Sequence, residues 1–262
     1  MSRALIARAA VVPVFGSAAL RSEQVSQLVL GETAEVLEES GVWRRVRTDL
    51  DHYEGWVHAG YVVEVDARTA ADWRGDAGGW SQGALVLTEA GPARVPLRGR
   101  VVLAGDRVRL PDGRHGRVVE GVVMPMAEAA DAARTLPPEL WALERFGGTQ
   151  YQWGGITPCG VDCSGLVQTT FLARGLPLPR DSHQQAECGV CIPADELRAG
   201  DVLFFRDPSG PRITHVAFAG EGDTLVHSTV ACGGMVHEPW GPETRAWPLR
   251  ERLVVVRRLE AR

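Results

Sequence analysis

The sequence predicts an α+β chain in which two small all-β units precede a domain of helices followed by antiparallel strands. Three observations carry this reading. Through residue 66, short apolar runs alternate with turn residues at the spacing of a small barrel. The spacing of Gly55-Trp56-Val57 with Gly60 recurs in Gly116-Arg117-Val118 with Gly121, which suggests a duplicated unit. Beyond residue 138, helical patterns come first and strand patterns after them. At 262 residues the chain is long enough for two or three cores.

Residues 1–66 make the first unit, with strands expected at 10–14, 27–30, 34–37, 42–46, 56–57 and 61–65. Pro13 should break the first of these, and turns fall at Gly31-Glu32, Ser40-Gly41 and Glu54-Gly55. Residues 67–124 make the second unit, with strands at 85–88, 101–103, 108–110 and 118–123. Its turns are Gly91-Pro92, Gly105-Asp106 and Asp112-Gly113.

Residues 125–262 make the third domain, opened by an Ala-rich, partly helical linker at 125–137. Pro138 starts a helix whose apolar side carries Leu140, Leu143 and Phe146, and Gly147-Gly148 stops it. A second, amphipathic helix begins at Cys163. Asp162 is its N-cap, Leu166, Val167, Thr170 and Phe171 recur at helical spacing, and Gly175 with Pro177 ends it. Ser182 and Gln185 have capping-box spacing. Strands at 203–205, 213–219 and 223–230 complete the domain.

Composition narrows the function. The apolar share is 45% and the charged share 23%, ordinary values for a globular chain. Net charge is −5 with no basic run, so a nucleic acid or an anionic membrane is not the expected partner. No apolar run approaches the ~20 residues that cross a bilayer. The opening MSRALIARAAVVPVF lacks a clean apolar segment with a small-residue cleavage site. The five cysteines are odd in number and cluster late, which suits a reducing compartment. A cytoplasmic, monomeric protein is expected; a signal removed ahead of Met1 would make it secreted.

The chemistry centres on the stretch YQWGGITPCGVDCSG, which delivers Cys163 to a helix start. There the unpaired backbone N–H groups favour thiolate, the reactive form. His215 and His227 lie on consecutive strands. If Gly220 to Gly222 forms a three-residue loop, Ala219 pairs with Asp223 and His215 falls directly opposite His227. Two adjacent imidazoles could be packing residues or metal ligands. The reading that needs nothing further is a general base oriented by its neighbour, with Cys163 as nucleophile. Cys188 and Cys191 form one C-x-x-C with Cys159 and Cys232 unassigned; that is too few for a structural zinc site, and no metal or cofactor is expected.

Against these residues stands a family resemblance. GTQYQWGG, VDCSGLV, LPRDSHQQ, GDVLFF, THVAFAG and VHST, in this order, resemble the NlpC-type cysteine peptidases of bacterial cell-wall peptides. The resemblance implies a papain-like fold with Cys163 as nucleophile, His215 as base, His227 orienting it and Tyr151 helping to hold the oxyanion. SQLVLGE, GVW and YEGWV are similar to a bacterial SH3-like domain. Two SH3-like barrels ahead of a papain-like domain resemble the γ-D-glutamyl-L-diamino-acid endopeptidases that recycle murein peptides in the cytoplasm. In them the first barrel walls off a pocket for a free N-terminal L-alanine amine. Carried over, Asp162, Ser164, Asp181, Ser182 and Tyr53 become substrate-binding residues, with Glu23 chosen over Glu32 for the amine. From the residues alone, Asp162 could be only an N-cap, Ser182 only half a capping box and Tyr53 only a core residue. A binding module with a vestigial catalytic domain, an acyltransferase on the same scaffold and a secreted hydrolase of intact wall are the rival readings.

Overall fold

The computed structural model describes residues 3–260, and the chain divides into two compact units, Met1–Ala130 and Asp131–Arg262. The first unit opens with seven strands: β1 (Arg3–Ala7), β2 (Val11–Phe15), β3 (Gln24–Val29), β4 (Thr33–Ser40), β5 (Trp43–Thr48), β6 (Glu54–His58) and β7 (Val62–Asp66). They pair in the order β3-β2-β6-β5-β4-β1-β7. Leu5, Val14, Leu28, Ala34, Val46, Val57 and Val62, one from each strand, meet in a single buried cluster. A flat sheet could not bring both edge strands to one core, so the sheet is rolled.

Two local expectations need correcting, and β1 was not expected at all. β1 carries no alternating pattern, because Ala4 to Ala7 are all buried, as for a strand covered on both faces. β2 runs unbroken through Pro13, which stands opposite Gln27. The turn expected at Glu54-Gly55 lies earlier, where His52 takes φ +57°, and Glu54 already opens β6. Gly55 serves close approach instead: a Cβ there would lie 2.5 Å from Val14 Cγ1.

After β7 the chain forms α1 (Ala67–Asp76), inside a stretch expected to be all β. Asp66 caps it through the Thr69 N–H at 2.7 Å, and buried Trp73 donates its indole N–H to the Gly31 carbonyl at 2.8 Å. Then β8 (Gly79–Thr88), β9 (Gly91–Ala104), β10 (Arg107–Arg109) and β11 (His115–Pro125) close into a barrel of their own. The repeated glycine has the same task here as in β6. A Cβ on Gly116 would come within 2.6 Å of the Leu87 carbonyl oxygen on β8. Helix α2 (Met126–Arg134) follows.

The second unit contains α3 (Pro138–Phe146), the two-residue strands β12 (Ile156–Thr157) and β13 (Gly160–Val161), α4 (Cys163–Ala173) and the short α5 (Ser182–Gln185). They are followed by β14 (Val190–Ile192), β15 (Val202–Arg206), β16 (Ile213–Ala219), β17 (Thr224–Thr229), β18 (Gly234–Pro239) and β19 (Leu253–Arg258). The last six form one sheet in the order β14-β19-β15-β16-β17-β18. On α3 the buried side is Trp141, Ala142 and Phe146, while Leu140 is 46% exposed, so the helix is rotated from the expected face. Helix α4 is buried on every side from Cys163 to Phe171 rather than amphipathic. It lies against the sheet, with Phe171 and Phe218 ring centroids 5.9 Å apart, and against α3 and β12.

Strands β16 and β17 decide the site. Their register pairs Ala219 with Leu225 and Phe218 with Val226, so the loop is longer than three residues. The offset from the expected register is two. An even slip keeps every side chain on its face, so His215 and His227 remain on one side of the sheet as diagonal neighbours. Beyond Phe218 and Val226 the two strands part, while β17 stays paired to β18 as far as Thr229. Both histidines stand in this fork.

Candidate active site

Cys163 is set in place through its neighbour. Asp162 has an extended backbone (φ −94°, ψ 177°) and caps α4, its Oδ1 accepting the Gly165 N–H at 2.7 Å. Oδ2 accepts the Gly154 N–H at 2.8 Å, which pins the Gly-rich approach. Buried Arg180 completes the network, donating from Nη2 to Oδ2 at 2.5 Å and from Nη1 to Oδ1 at 3.1 Å. Ser164 accepts from Arg180 Nη1 at 2.8 Å and donates to Asp162 Oδ1 at 3.3 Å. A buried ion pair holds together on these terms, with further hydrogen bonds on the remaining lone pairs. Gly165 has to be glycine, because a Cβ would lie 2.1 Å from the Gly155 carbonyl oxygen.

The expected thiolate is not the resting form of Cys163. Burial, and after it the charge of Asp162, push the thiol up to about 12. Hydrogen bonds from the Val216 and Ser164 backbone and the charge of Arg180 favour thiolate but are outweighed. Desolvation therefore wins over the helix terminus, so nucleophilic use of this sulfur would require a base to take its proton. The Val216 contact also locates the sulfur. Alternate N–H groups of a strand point to the same edge, and the β17 edge of Val216 has no strand opposite it because of the fork. The sulfur fills that place, beside the residue that follows His215.

His215 Nε2 and His227 Nδ1 are 2.7 Å apart, and His227 Nε2 lies 2.7 Å from Glu238 Oε1. Arg245 donates to both Glu238 oxygens, from Nε to Oε2 at 3.0 Å and from Nη2 to Oε1. Burial raises the Glu238 carboxyl, but hydrogen bonds from His227 and Arg245 more than reverse this and hold it below the usual range. An ionised carboxylate only accepts, so His227 presents its proton to Glu238 and a lone pair to His215. The His215 proton then sits on Nε2, leaving Nδ1 as the basic nitrogen. Desolvation above all, then the neighbouring His227 and the Arg252 and Arg245 cations, hold the His215 imidazole well below its ordinary proton affinity. The resting pair is thus neutral thiol and neutral imidazole.

Tyr151 is held by its own N–H on the Gly233 carbonyl at 2.8 Å. Burial above all, with Cys163 and the Asp162 carboxylate nearby, raises its phenol, so it keeps its proton. Asp181 caps α5 through its backbone, with no side-chain cap, and Ser182 is buried in the first turn. The capping box does not form. The Gln185 amide instead donates to the Ser164 and Pro179 carbonyls, at 3.0 and 2.8 Å, tying this turn to α4.

The two candidates of the first unit lie in its loops. Tyr53 is half-buried after the β5–β6 turn, its N–H on Thr48 Oγ1 at 2.8 Å. Glu23 is exposed just ahead of β3. Glu32, the rejected alternative, is occupied by the Val29 N–H at 2.9 Å and Arg98 Nε at 2.7 Å. Cys188 is partly buried, and Cys159, Cys191 and Cys232 are exposed and free. Sequence reasoning missed the roles of Arg180, Gln185, Glu238 and Arg245. The first two stood inside a quoted motif, whereas Glu238 is found only once β18 is registered on β17, with Val236 opposite His227.

Residues 148–247 match the NlpC/P60 family and residues 15–60 the bacterial dipeptidyl-peptidase SH3 domain. The chain is 38% identical over 112 residues to the probable endopeptidase NlpC of Escherichia coli K12, covering 42% of this chain and 73% of that protein. The chain belongs to the NlpC/P60 family. It is also 43% identical over 84 residues to the γ-D-glutamyl-L-lysine dipeptidyl-peptidase of Bacillus subtilis 168, 32% of this chain and 28% of that one. A further relative is the E. coli K12 protein named murein DD-endopeptidase MepS/murein LD-carboxypeptidase, 38% identical over 36% of this chain and 50% of that one. In fold, the chain is similar to a crystal structure of an NlpC/P60 family protein from Bacillus cereus ATCC 10987, with a TM-score of 0.82 at 19% identity, covering 98% and 99% of the two chains. The papain-like NlpC/P60 fold and one N-terminal SH3 domain are thereby established. The second barrel has no such family match of its own.

Proposed function

We propose that this NlpC/P60 peptidase hydrolyses the γ-D-glutamyl–L-diamino-acid bond of short murein peptides with a free N-terminal L-alanine, in cytoplasmic recycling of wall peptides. What supports the proposal is the His215–His227 pair, with Cys163 at the Val216 amide beside it, in one chain with a match to the bacterial dipeptidyl-peptidase SH3 domain at residues 15–60. A relative named for γ-D-glutamyl-L-lysine dipeptides supports it. Cys163 sulfur attacks the γ-carbonyl as its proton passes to His215 Nδ1. The imidazolium formed is stabilised by His227 backed by Glu238 and Arg245. The Tyr151 hydroxyl and the Cys163 backbone N–H supply donors for the oxyanion. His215 then protonates the leaving amine, and water clears the thioester. Neither metal nor organic cofactor enters these steps. In the first unit, Tyr53 and Glu23 supply the groups assigned to the free amine, with Asp162, Ser164, Asp181 and Ser182 around the nucleophile.

A second reading, hydrolysis of intact wall, is favoured by the relative named as a murein DD-endopeptidase. The test is turnover of L-Ala-γ-D-Glu-L-diamino-acid peptide beside its N-acetylated form and beside polymeric wall. The proposal expects cleavage of the free-amine peptide only. Equal cleavage of both peptides, or turnover of polymer, refutes it.

A further inference from the structure

Next to the histidine pair lies a cavity of about 300 Å³ whose wall includes Thr214, His215, His227, Thr229, Arg245 and Arg252. Its two cations are in different states. Arg245 is neutralised by Glu238. Arg252 donates Nε to the Arg206 carbonyl at 2.8 Å, which fixes the guanidinium, and it forms no salt bridge among the described residues. The cavity therefore holds a positioned guanidinium that forms no direct ion pair and feels Asp207 only at longer range, beside two hydroxyl groups and an apolar wall, a composition that suits an anion with an apolar stem. The influence of Arg252 on the His215 imidazole indicates that its charge is close to the base.

The leaving amine must reach His215 to be protonated. The carbon bearing that amine is the α-carbon of the residue beyond the scissile bond, so that residue's carboxyl carbon is two bonds from the amine nitrogen. In a tripeptide that carboxylate is free. We infer that this cavity is a carboxylate-binding subsite, in which Arg252 selects peptides whose leaving residue ends in a free α-carboxylate. The inference rests on the γ-D-glutamyl peptidase reading and adds the exit side of the substrate to it.

The test compares kcat/KM for L-Ala-γ-D-Glu-L-Lys ending in carboxylate with the same tripeptide ending in carboxamide. A charge-assisted hydrogen bond lost to the amide lowers kcat/KM about tenfold or more. Arg252→Gln should lose this preference and Arg252→Lys should keep part of it. Equal turnover of the two peptides by the unaltered enzyme overturns the inference, as does an undiminished preference in Arg252→Gln. Cleavage of neither peptide removes the proposed function and the subsite with it. Because the peptide pair is read on the unaltered enzyme, misfolding of a variant does not blunt the result.

Discussion

Replacing Glu238 by Gln keeps the shape of the side chain and removes its charge. The carboxylate sits 2.7 Å from His227 Nε2 and is itself buried, at 9% exposure. A hydrogen bond to a charged group is worth about 1.5–3 kcal/mol. If that interaction is fully expressed only when the imidazolium forms, its loss lowers kcat about 10- to 100-fold. A glutamine amide can also turn its NH2 toward His227, reversing the tautomer and moving the His215 proton to the nitrogen that should act as base. Arg245, no longer neutralised, holds the pair still more strongly in its neutral form, so the acidic limb of the kcat/KM profile moves to lower pH as its plateau falls. The assay is the pH–rate profile on L-Ala-γ-D-Glu-L-Lys, with the thermal midpoint as control for folding. A fall of less than twofold with an unmoved acidic limb would refute the relay argument.

Other outcomes follow from the same geometry. With the thiol pushed up to about 12, alkylation of Cys163 by iodoacetamide should rise with pH through pH 9 without a plateau near neutrality; a plateau below pH 7 would mean a resting thiolate. Arg180→Gln leaves the buried Asp162 carboxylate without its cation and should destabilise the second unit by about 3 kcal/mol, read as a shift in denaturant midpoint. Gly165→Ala forces the first turn of α4 away from the Gly155 carbonyl, and kcat should fall at least tenfold while the first unit keeps its stability.

The histidine pair was legible in the sequence because sheet geometry forgives an even error. The loop after Ala219 is longer than the glycines suggested, yet His215 and His227 still share a face. The state of Cys163 was not legible. Its helix position was clear from Asp162, but the burial that overrides the helix terminus depends on α3, β12 and the sheet closing around α4. The rolled core of the first unit was largely readable from alternation. β1 was lost because full burial erases alternation, and α1 because a capped helix stood among β patterns. Arg180 and Glu238 meet their partners across 18 and 11 residues, and only the strand register and packing of the folded unit set those contacts.

The opening between β16 and β17 has a consequence for how the enzyme can fail. One local separation of two chains both exposes the amide that seats the sulfur and makes room for the paired rings. The proposed nucleophile and base are thus coupled by a single backbone shape, so a change that zipped those strands together would disable both at once with every side chain of the site unaltered.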